Sequence, residues 1–386
     1  MLKIIFNRLK KLNLLTAEHI EKKMMQILRP IFFLILVVFA GTGFVSAADM
    51  TEKDAANSHS EESFEAGKYV IEHVSDAFEW HIATFGETHI SIPLPIILYS
   101  SNKGWNFFMS SKFHHGHEAY NGFRIEHEGE NEGKIVEINE NAEVVGLPID
   151  LSITKTVAGI FVSVIVLLLI FLNIAKSAQK RANKAPAGLQ NLFEPIILFI
   201  RDEVAKPAIG EKKFEKFMPF LLTAFFFILI NNLLGLVPIF PFGTNVTGNI
   251  AVTMVLALFT FFITSINGNK HYWKEIYNPD VPWWLKYPVP LMPIVELSGV
   301  ITKPFVLMVR LFANMMAGHM IVTVFVSLIF IFNKLMGVEA GLGVSVVSVA
   351  FSVFIVLLDI LVSFIQAYVF TLLSALYFGM ATSEHH

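Results

Sequence analysis

Glu296, Lys303 and Arg310 recur every seven residues inside a long apolar stretch, about Val289 to Phe332, and Asn314 follows Arg310 by four. Seven helical steps return nearly to the same face, so these side chains share one stripe of a helix. Lys303 can reach an interface with its long stem, and Glu296 is expected close to one as well. Arg310 lies deeper. A guanidinium there costs roughly 2.5 to 3.5 kcal/mol on insertion scales, and it stays protonated because its pKa exceeds about 12. It is a fixed positive charge in a region where proton carriers would titrate. A second apolar stretch, about Gly343 to Met380, carries Asp359, Ser363 and Gln366 near one face. With His319 on the first stretch, these supply an imidazole and a carboxylate that can hold, receive or pass a proton, and an amide that can orient a cation.

Such chemistry needs two helices side by side. The connection NKLMGVEAGLG is short enough for an antiparallel hairpin centred near Val338 or Glu339, which makes opposed residue numbers add to about 677. Arg310 then faces Gln366, and His319 faces Asp359. Arg310 and His319 are nine residues apart, half a turn out of phase, so they look in different directions from one helix. The competing reading is a static network of Arg310, Asp359, Glu296 and Lys303 that only packs helices. Repeated polar placement at membrane depth more often marks an ion route.

Stepping outward, the 386-residue chain is 54% hydrophobic and only 16% charged, with a mean hydropathy of +0.59, on the membrane side of globular usage. Thr156 to Ala175 is an uncharged run between Lys155 and Lys176 and suffices for one crossing. Its basic end, KSAQKRANK, is expected in the cytoplasm. NLFEPIILFIRDEVAKPAIG mixes apolar and charged residues and suits an interfacial helix. Phe217 to Val237 crosses next and contains Asn231 and Asn232; PIFPFGTNVTG is an uncharged turn, and Asn249 to Asn267 returns. A basic segment with Trp273, Trp283 and Trp284 follows, as expected near the cytoplasmic interface. The two long stretches exceed one perpendicular span and must tilt, kink or protrude. The expected fold class is an all-α polytopic membrane protein with five principal crossings. Its last two form a long, tilted hairpin, beside an interfacial amphipathic helix and a small extracytoplasmic N-terminal region with some strand.

Three domains are expected. Residues 1–48 are a signal-peptide-like or anchor segment: Ile31 to Ala40 follows basic residues and leads to small residues at Val45, Ala47 and Ala48. The long preceding stretch is awkward for a signal peptide, so either translation begins at Met24 or Met25 or the segment is an uncleaved anchor. Residues 49–154 form an acidic, histidine-containing region outside the membrane. Asp49 to Asp150 holds 19 acidic and 6 basic residues, and apolar–polar alternation in HISIPLPIILYS and KIVEINENAEVV reads as strand. HHGH, His114 to His117, matches no strong ligand spacing and reads as hydrated polar residues rather than a metal site. Residues 155–386 form the membrane domain. There is no cysteine, which excludes disulfides and thiolate chemistry. No folded basic surface for nucleic acid is evident, and no Walker pattern for ATP phosphates. The reading is non-enzymatic, with no cofactor and no metal.

Around Arg310 the chain resembles subunit a of the F-type ATP synthase, the stator subunit beside the rotating c ring. The resemblance is carried by Arg310-Leu311-Phe312-Ala313-Asn314-Met315 and Ala317-Gly318-His319. It is supported by Glu296, Lys303-Pro304, Gln366-Ala367 and Met380-Ala381-Thr382-Ser383-Glu384-His385. It covers Leu151 to His386. It implies that Arg310 is the family's essential arginine, Asn314 its polar partner and Gln366 the glutamine of the adjacent helix. His319 stands where bacterial relatives often have glutamate, and Asp359 where they often have histidine. This exchange preserves a basic–acidic pair and leaves open which member relays protons. The resemblance further implies two offset half-channels, a c-subunit rotor ring, a b-subunit peripheral stalk and the remaining ATP synthase subunits as partners, lipid around them, and a bacterial inner-membrane location with a cytoplasmic C-terminus. ATP chemistry would reside on other subunits. Two other functions compete. A secondary transporter would call for repeated halves and broken helices, and no convincing repeat is present; a structural scaffold would need Arg310 chiefly for assembly. Proton and sodium selectivity depends largely on the partner ring.

Overall fold

The computed structural model describes residues 76–383, apart from 86–87, 115, 117, 127–130, 132, 140, 142, 181–185, 238–240 and 279–290. The expected segment 1–48, the acidic stretch to residue 75, His115, His117, Trp283, Trp284 and the last residues of the terminal motif lie outside the described residues.

The N-terminal region is built of strands and one short 3-10 turn, Ser110–Phe113. β1 (Glu79–Phe85) and β2 (Thr88–Pro93) form an antiparallel ribbon. β3 (Pro95–Ser100), β4 (Gly104–Met109) and β8 (Ile149–Asp150) form a sheet in the order β4-β3-β8, and β5 (Phe123–Ile125), β6 (Ile135–Ile138) and β7 (Val144–Gly146) form another in sequence order. Ile96, Leu98, Phe113, Phe123 and Ile135 build a small core between them. The alternation in HISIPLPIILYS and KIVEINENAEVV thus becomes β2–β3 and β6–β7, as expected from its period of two.

The membrane part begins at once. α1 (Lys155–Lys180) is tied to the strand region by Lys155 N donating to Ala77 O at 2.8 Å and Thr156 N to the Asp76 carboxylate at 3.0 Å. α2 (Leu189–Phe199), a π turn (Ile200–Ala205) and α3 (Lys206–Ile209) follow. Then come α4 (Phe214–Gly235), α5 (Ile250–Ile266) and α6 (Lys270–Tyr277). The chain ends in two long helices, α7 (Leu291–Met336) and α8 (Val338–Thr382). α1, α4, α7 and α8 are each long and apolar enough to cross a bilayer. α5 makes the fifth when taken with α6, which turns away from it by 106°. The Asn249 side chain caps α5 by accepting from Ala251 N at 2.9 Å. At 46 residues α7 is roughly 70 Å long, about twice a bilayer core, so the hairpin must lean or protrude.

α4 is the central pillar. Leu221, Phe225 and Ile228 are fully enclosed, packed among Leu307 and Leu311 of α7, Phe370 and Phe378 of α8, and Ile200 and Val204 of the π turn. The segment expected at the interface is amphipathic as read. Its apolar side, Ile197, Ile200, Val204, Ala205 and Ile209, is buried against the bundle, and Asp202, Glu203 and Lys206 stay partly or wholly exposed. A polar clamp joins it to α1: Ser177 Oγ donates to Gln190 Oε1 at 3.1 Å, and Gln190 Nε2 donates to the buried Glu194 carboxylate at 2.8 Å.

Two predictions follow from this packing. A Cβ at Gly379 of α8 would sit 1.9 Å from the Ala208 carbonyl oxygen. Gly379→Ala therefore forces two backbones apart and is expected to cost about 1–3 kcal/mol, read as a lower thermal midpoint in detergent. The second concerns Asp202. Burial raises its pKa, but hydrogen bonds from Arg201 and Lys206 outweigh that and hold the carboxyl below its ordinary range. A lowered folded pKa means stability that is present at neutral pH and lost as pH falls through the depressed value. Asp202→Asn is expected to flatten the acid limb of a stability–pH profile, and an unchanged acid limb would refute the role.

Candidate functional site

One residue, Gly337 at φ 87°, separates α7 from α8. That left-handed geometry suits glycine, and Gly337 N closes the end of α7 on Asn333 O at 3.0 Å. From this turn the helices run antiparallel in near-constant register. Gly341 lies on Asn333, Phe325 stacks on Phe351 with centroids 5.4 Å apart, Gly318 lies on the Asp359 carboxylate, and Lys303 Nζ sits 5.7 Å over the Tyr377 ring. These pairs keep close to the expected total of 677, so Arg310 and Gln366 share one level and His319 and Asp359 another.

Three polar levels result. The first surrounds Asp359. A Cβ on Gly318 would meet its two carboxylate oxygens at 2.6 and 2.7 Å, so the carboxylate occupies the space that glycine leaves free. Asp359 Oδ2 is buried and accepts no hydrogen bond among the described residues. Ser363, one turn along and fully buried, donates to the Asp359 carbonyl at 2.6 Å. His319 points at the end of α4 and the loop after it: its Nε2 lies 3.6 Å from the position of a Cβ on Gly235, which itself abuts Thr244 O at 3.1 Å. Thr247 Oγ1 donates to the Asn232 Oδ1 acceptor, both residues buried.

The second level is Arg310. It is exposed, as are Ala313, Asn314 and Ala317, so at spacings of three and four residues they draw one outward stripe of small and polar groups on α7. Arg310 makes no ion pair or hydrogen bond among the described residues. Gln366 is buried at the same height and does not hydrogen-bond it. The half-turn phase difference is visible directly: Arg310 looks out of the bundle and His319 looks into it.

The third level lies about 10 Å along α7 from Arg310 on the other side, seven residues at 1.5 Å each. Lys303 lines a small cavity with Thr260, Thr264, Tyr272, Pro304 and Tyr377, and above it the buried Thr260 and Ser374 hydroxyls lie 3.2 Å apart. Glu296 is half-buried further along the helix.

Every predicted site residue therefore falls on one of these levels or on the same stripe. Sequence reasoning passed over Gly318, Gly235, Asn232, Thr244 and Thr247 as site residues, and Tyr377, Thr260 and Ser374 on the Lys303 side. Adjacent asparagines ending an apolar helix, before a turn rich in threonine and asparagine, were the visible signal for the first group. The second group carried none, because single hydroxyls in apolar helices commonly bond their own backbone, as Thr371 does.

A family model described as ATP synthase A chain matches residues 158–379, more than half of the chain. A second, described only as a domain of unknown function, matches residues 69–151. The chain is 45% identical over 242 residues to ATP synthase subunit a of Chloroherpeton thalassium, covering 61% of this chain and 68% of that one. It is 45% identical over 250 residues to ATP synthase subunit a 2 of Chlorobaculum tepidum, covering 63% and 66%. To ATP synthase subunit a of Chlorobium phaeobacteroides it is 45% identical over 243 residues, covering 61% and 67%. The match thus spans about two thirds of each relative's own length. With a family model matching more than half of its length and this degree of identity to relatives covered to two thirds, the chain belongs to the ATP synthase A chain family.

Proposed function

We propose that this chain does the work of its family, as a non-catalytic stator that translocates protons and couples their flow to rotation of a c ring, through the three polar levels of its terminal hairpin. The observation that carries this reading is Arg310. It is a permanent cation on an exposed stripe with no internal counter-ion among the described residues, set between two polar levels that lie at different depths.

In this mechanism Asp359 and His319, with Asn314 and Ser363 nearby, form the half-channel open to the side away from the cytoplasm, and Asn232, Thr244 and Thr247 extend it toward the surface. The carboxylate oxygen of Asp359 that accepts no hydrogen bond among the described residues is the natural place to hold a proton in transit. The proton passes from there to a carboxylate on the ring. After rotation the neutral carboxyl meets Arg310, whose charge favours the ionised form and drives proton release. Release leads toward the Lys303 level, past Thr260, Ser374 and Tyr377. Arg310 also repels protons that would pass directly between the levels, so flux must follow rotation. One proton crossing the full potential supplies about 2.3 kcal/mol per 100 mV, so several steps must be accumulated by a rotor to support ATP formation on other subunits. The small residues Ala313 and Ala317 beside Arg310 allow a ring helix to approach closely.

Topology follows from charge. Lys213 Nζ donates to Thr382 O at 2.8 Å and Asn269 N to Ala381 O at 2.9 Å, which gathers the start of α4, the end of α5 and the end of α8 at one end of the bundle. That end carries Lys212, Lys213, Lys216, Lys270 and Lys274, and the positive-inside rule assigns it to the cytoplasm of a bacterial cell. The strand region then lies outside the inner membrane. The b-subunit stalk and remaining synthase subunits are the expected neighbours.

Arg310→Ala is expected to leave assembled complex abundant but to abolish proton-driven ATP synthesis. Vesicles read for ATP and proton flux together test this, and normal coupled synthesis would overturn the assignment. For the outer half-channel, Gly318→Ala pushes a methyl into the Asp359 carboxylate. It is expected to slow proton flux several-fold, as do Asp359→Asn and His319→Ala, and the double Asp359→Asn/His319→Ala is expected to be no worse than either single. Unchanged flux in the two singles would remove both residues from the route.

A further inference from the structure

The β4-β3-β8 sheet has two unequal faces. Ile96, Leu98 and Phe108 turn inward onto the small core. The other face is set by the register, which pairs Pro95 with Met109, Ile97 with Phe107 and Tyr99 with Trp105 across β3 and β4, and Tyr99 with Ile149 across β3 and β8. Beyond β8 the pairing continues, because Leu151 N donates to Ile97 O at 2.9 Å and Ile153 N to Pro95 O at 3.0 Å. Side chains alternate along each strand. The outer face is therefore three rungs of three residues: Trp105-Tyr99-Ile149, Phe107-Ile97-Leu151 and Met109-Pro95-Ile153. All nine are apolar or aromatic.

Six of its nine residues are exposed among the described residues, and Pro95, Ile97 and Ile153 are partly so. Phe107 is 68% exposed, Ile149 60% and Trp105 56%, and the Trp105 ring bridges Tyr99 at 5.1 Å and Phe107 at 5.9 Å. No charge interrupts it, although Asp49 to Asp150 carries 19 acidic residues. A monomer rarely leaves such a patch bare.

We propose that this nine-residue face seats in the headgroup region of the bilayer, on the side where α1 enters it, and makes the strand region a membrane-surface anchor. Its last rung ends at Ile153, two residues before α1 begins at Lys155. The face thus runs into a helix whose Phe161, Ile165, Leu168 and Leu169 are all exposed and available to lipid. Tryptophan and tyrosine beside aliphatic residues are the composition that settles at a lipid–water boundary. A second copy is a poorer occupant. The face is continuous with exposed apolar residues of α1, Phe161 and Ile165 among them, so the bilayer is its nearest apolar neighbour.

Because the chain has no cysteine, Phe107→Cys supplies a single labelling site on an exposed side chain and disturbs no core contact. Glu118→Cys, exposed and away from the face, is the reference. Each variant, in the assembled complex and in lipid vesicles, carries an environment-sensitive fluorophore. Emission is quenched by nitroxides on shallow acyl carbons of phosphatidylcholine or by aqueous iodide. The expected result is quenching by the lipid nitroxide several-fold stronger at position 107 than at 118, with the order reversed for iodide. Iodide quenching at 107 equal to that at 118 would overturn the proposal by placing the face in water. Shielding of 107 from both quenchers would overturn it by assigning the face to a protein neighbour, whether a second copy or another subunit.

Discussion

A guanidinium cannot shed its proton under any condition a cell meets, and a helix in a membrane offers it little water. The polar groups of the terminal hairpin are arranged around that constraint. A buried arginine is ordinarily neutralised by an acid of its own chain, because leaving the charge unpaired costs more than the pair returns. Here Asp359, the acid on the facing helix, is a full polar level away, and Arg310 instead sits on a stripe with Ala313, Asn314 and Ala317 that faces out of the bundle. Among the described residues no acid pairs with it. In the proposed mechanism that makes an expensive residue a coupling device, because the acid that neutralises it arrives and departs on another protein.

The separation of levels depends on two glycines. Gly337 reverses the chain within one residue, so the register of the hairpin is fixed at its turn and has little freedom to slip. Gly318 gives up its side chain so that the Asp359 carboxylate can lie between the helices. Nine helical steps turn His319 away from Arg310, whereas Lys303, seven steps from Arg310, keeps nearly the same face and differs from it in depth. Asp359 fills the space beside Gly318, His319 meets the end of α4 at Gly235, Arg310 meets open surface, and Lys303 meets the hydroxyls of α5 and α8. The two partial pathways of the proposed mechanism, with a charge between them, need no break in either helix.

The strand region obeys a different rule. Water drives its Ile96, Leu98 and Phe123 into a core, and the same force leaves the opposite face of the central sheet unsatisfied. The region's short tether to α1 keeps that face near the bilayer whatever its function, which is why a membrane occupant accounts for it with fewer assumptions than a dimer does.

Much of this architecture was legible from residue order alone. Apolar runs of this length and number point to helices that cross lipid, periods of seven align charges on one face, and a short link between two runs favours an antiparallel pair. The levels of Arg310 with Gln366 and His319 with Asp359 could therefore be read by arithmetic, as could the strands from their period of two. Tertiary structure decided what arithmetic leaves free. Level does not determine contact: Gln366 lies at the height of Arg310 and turns into the packing without bonding it. Nor does a sequence show which distant loops close over a helix, so the approach of Gly235, Thr244 and Asn232 to the His319 level, and of Tyr377 to Lys303, emerged only once α4, α5 and α8 were placed. The apolar outer face of the sheet was hidden for the same reason. Its nine residues come from three separate segments, and only strand pairing brings them onto one surface.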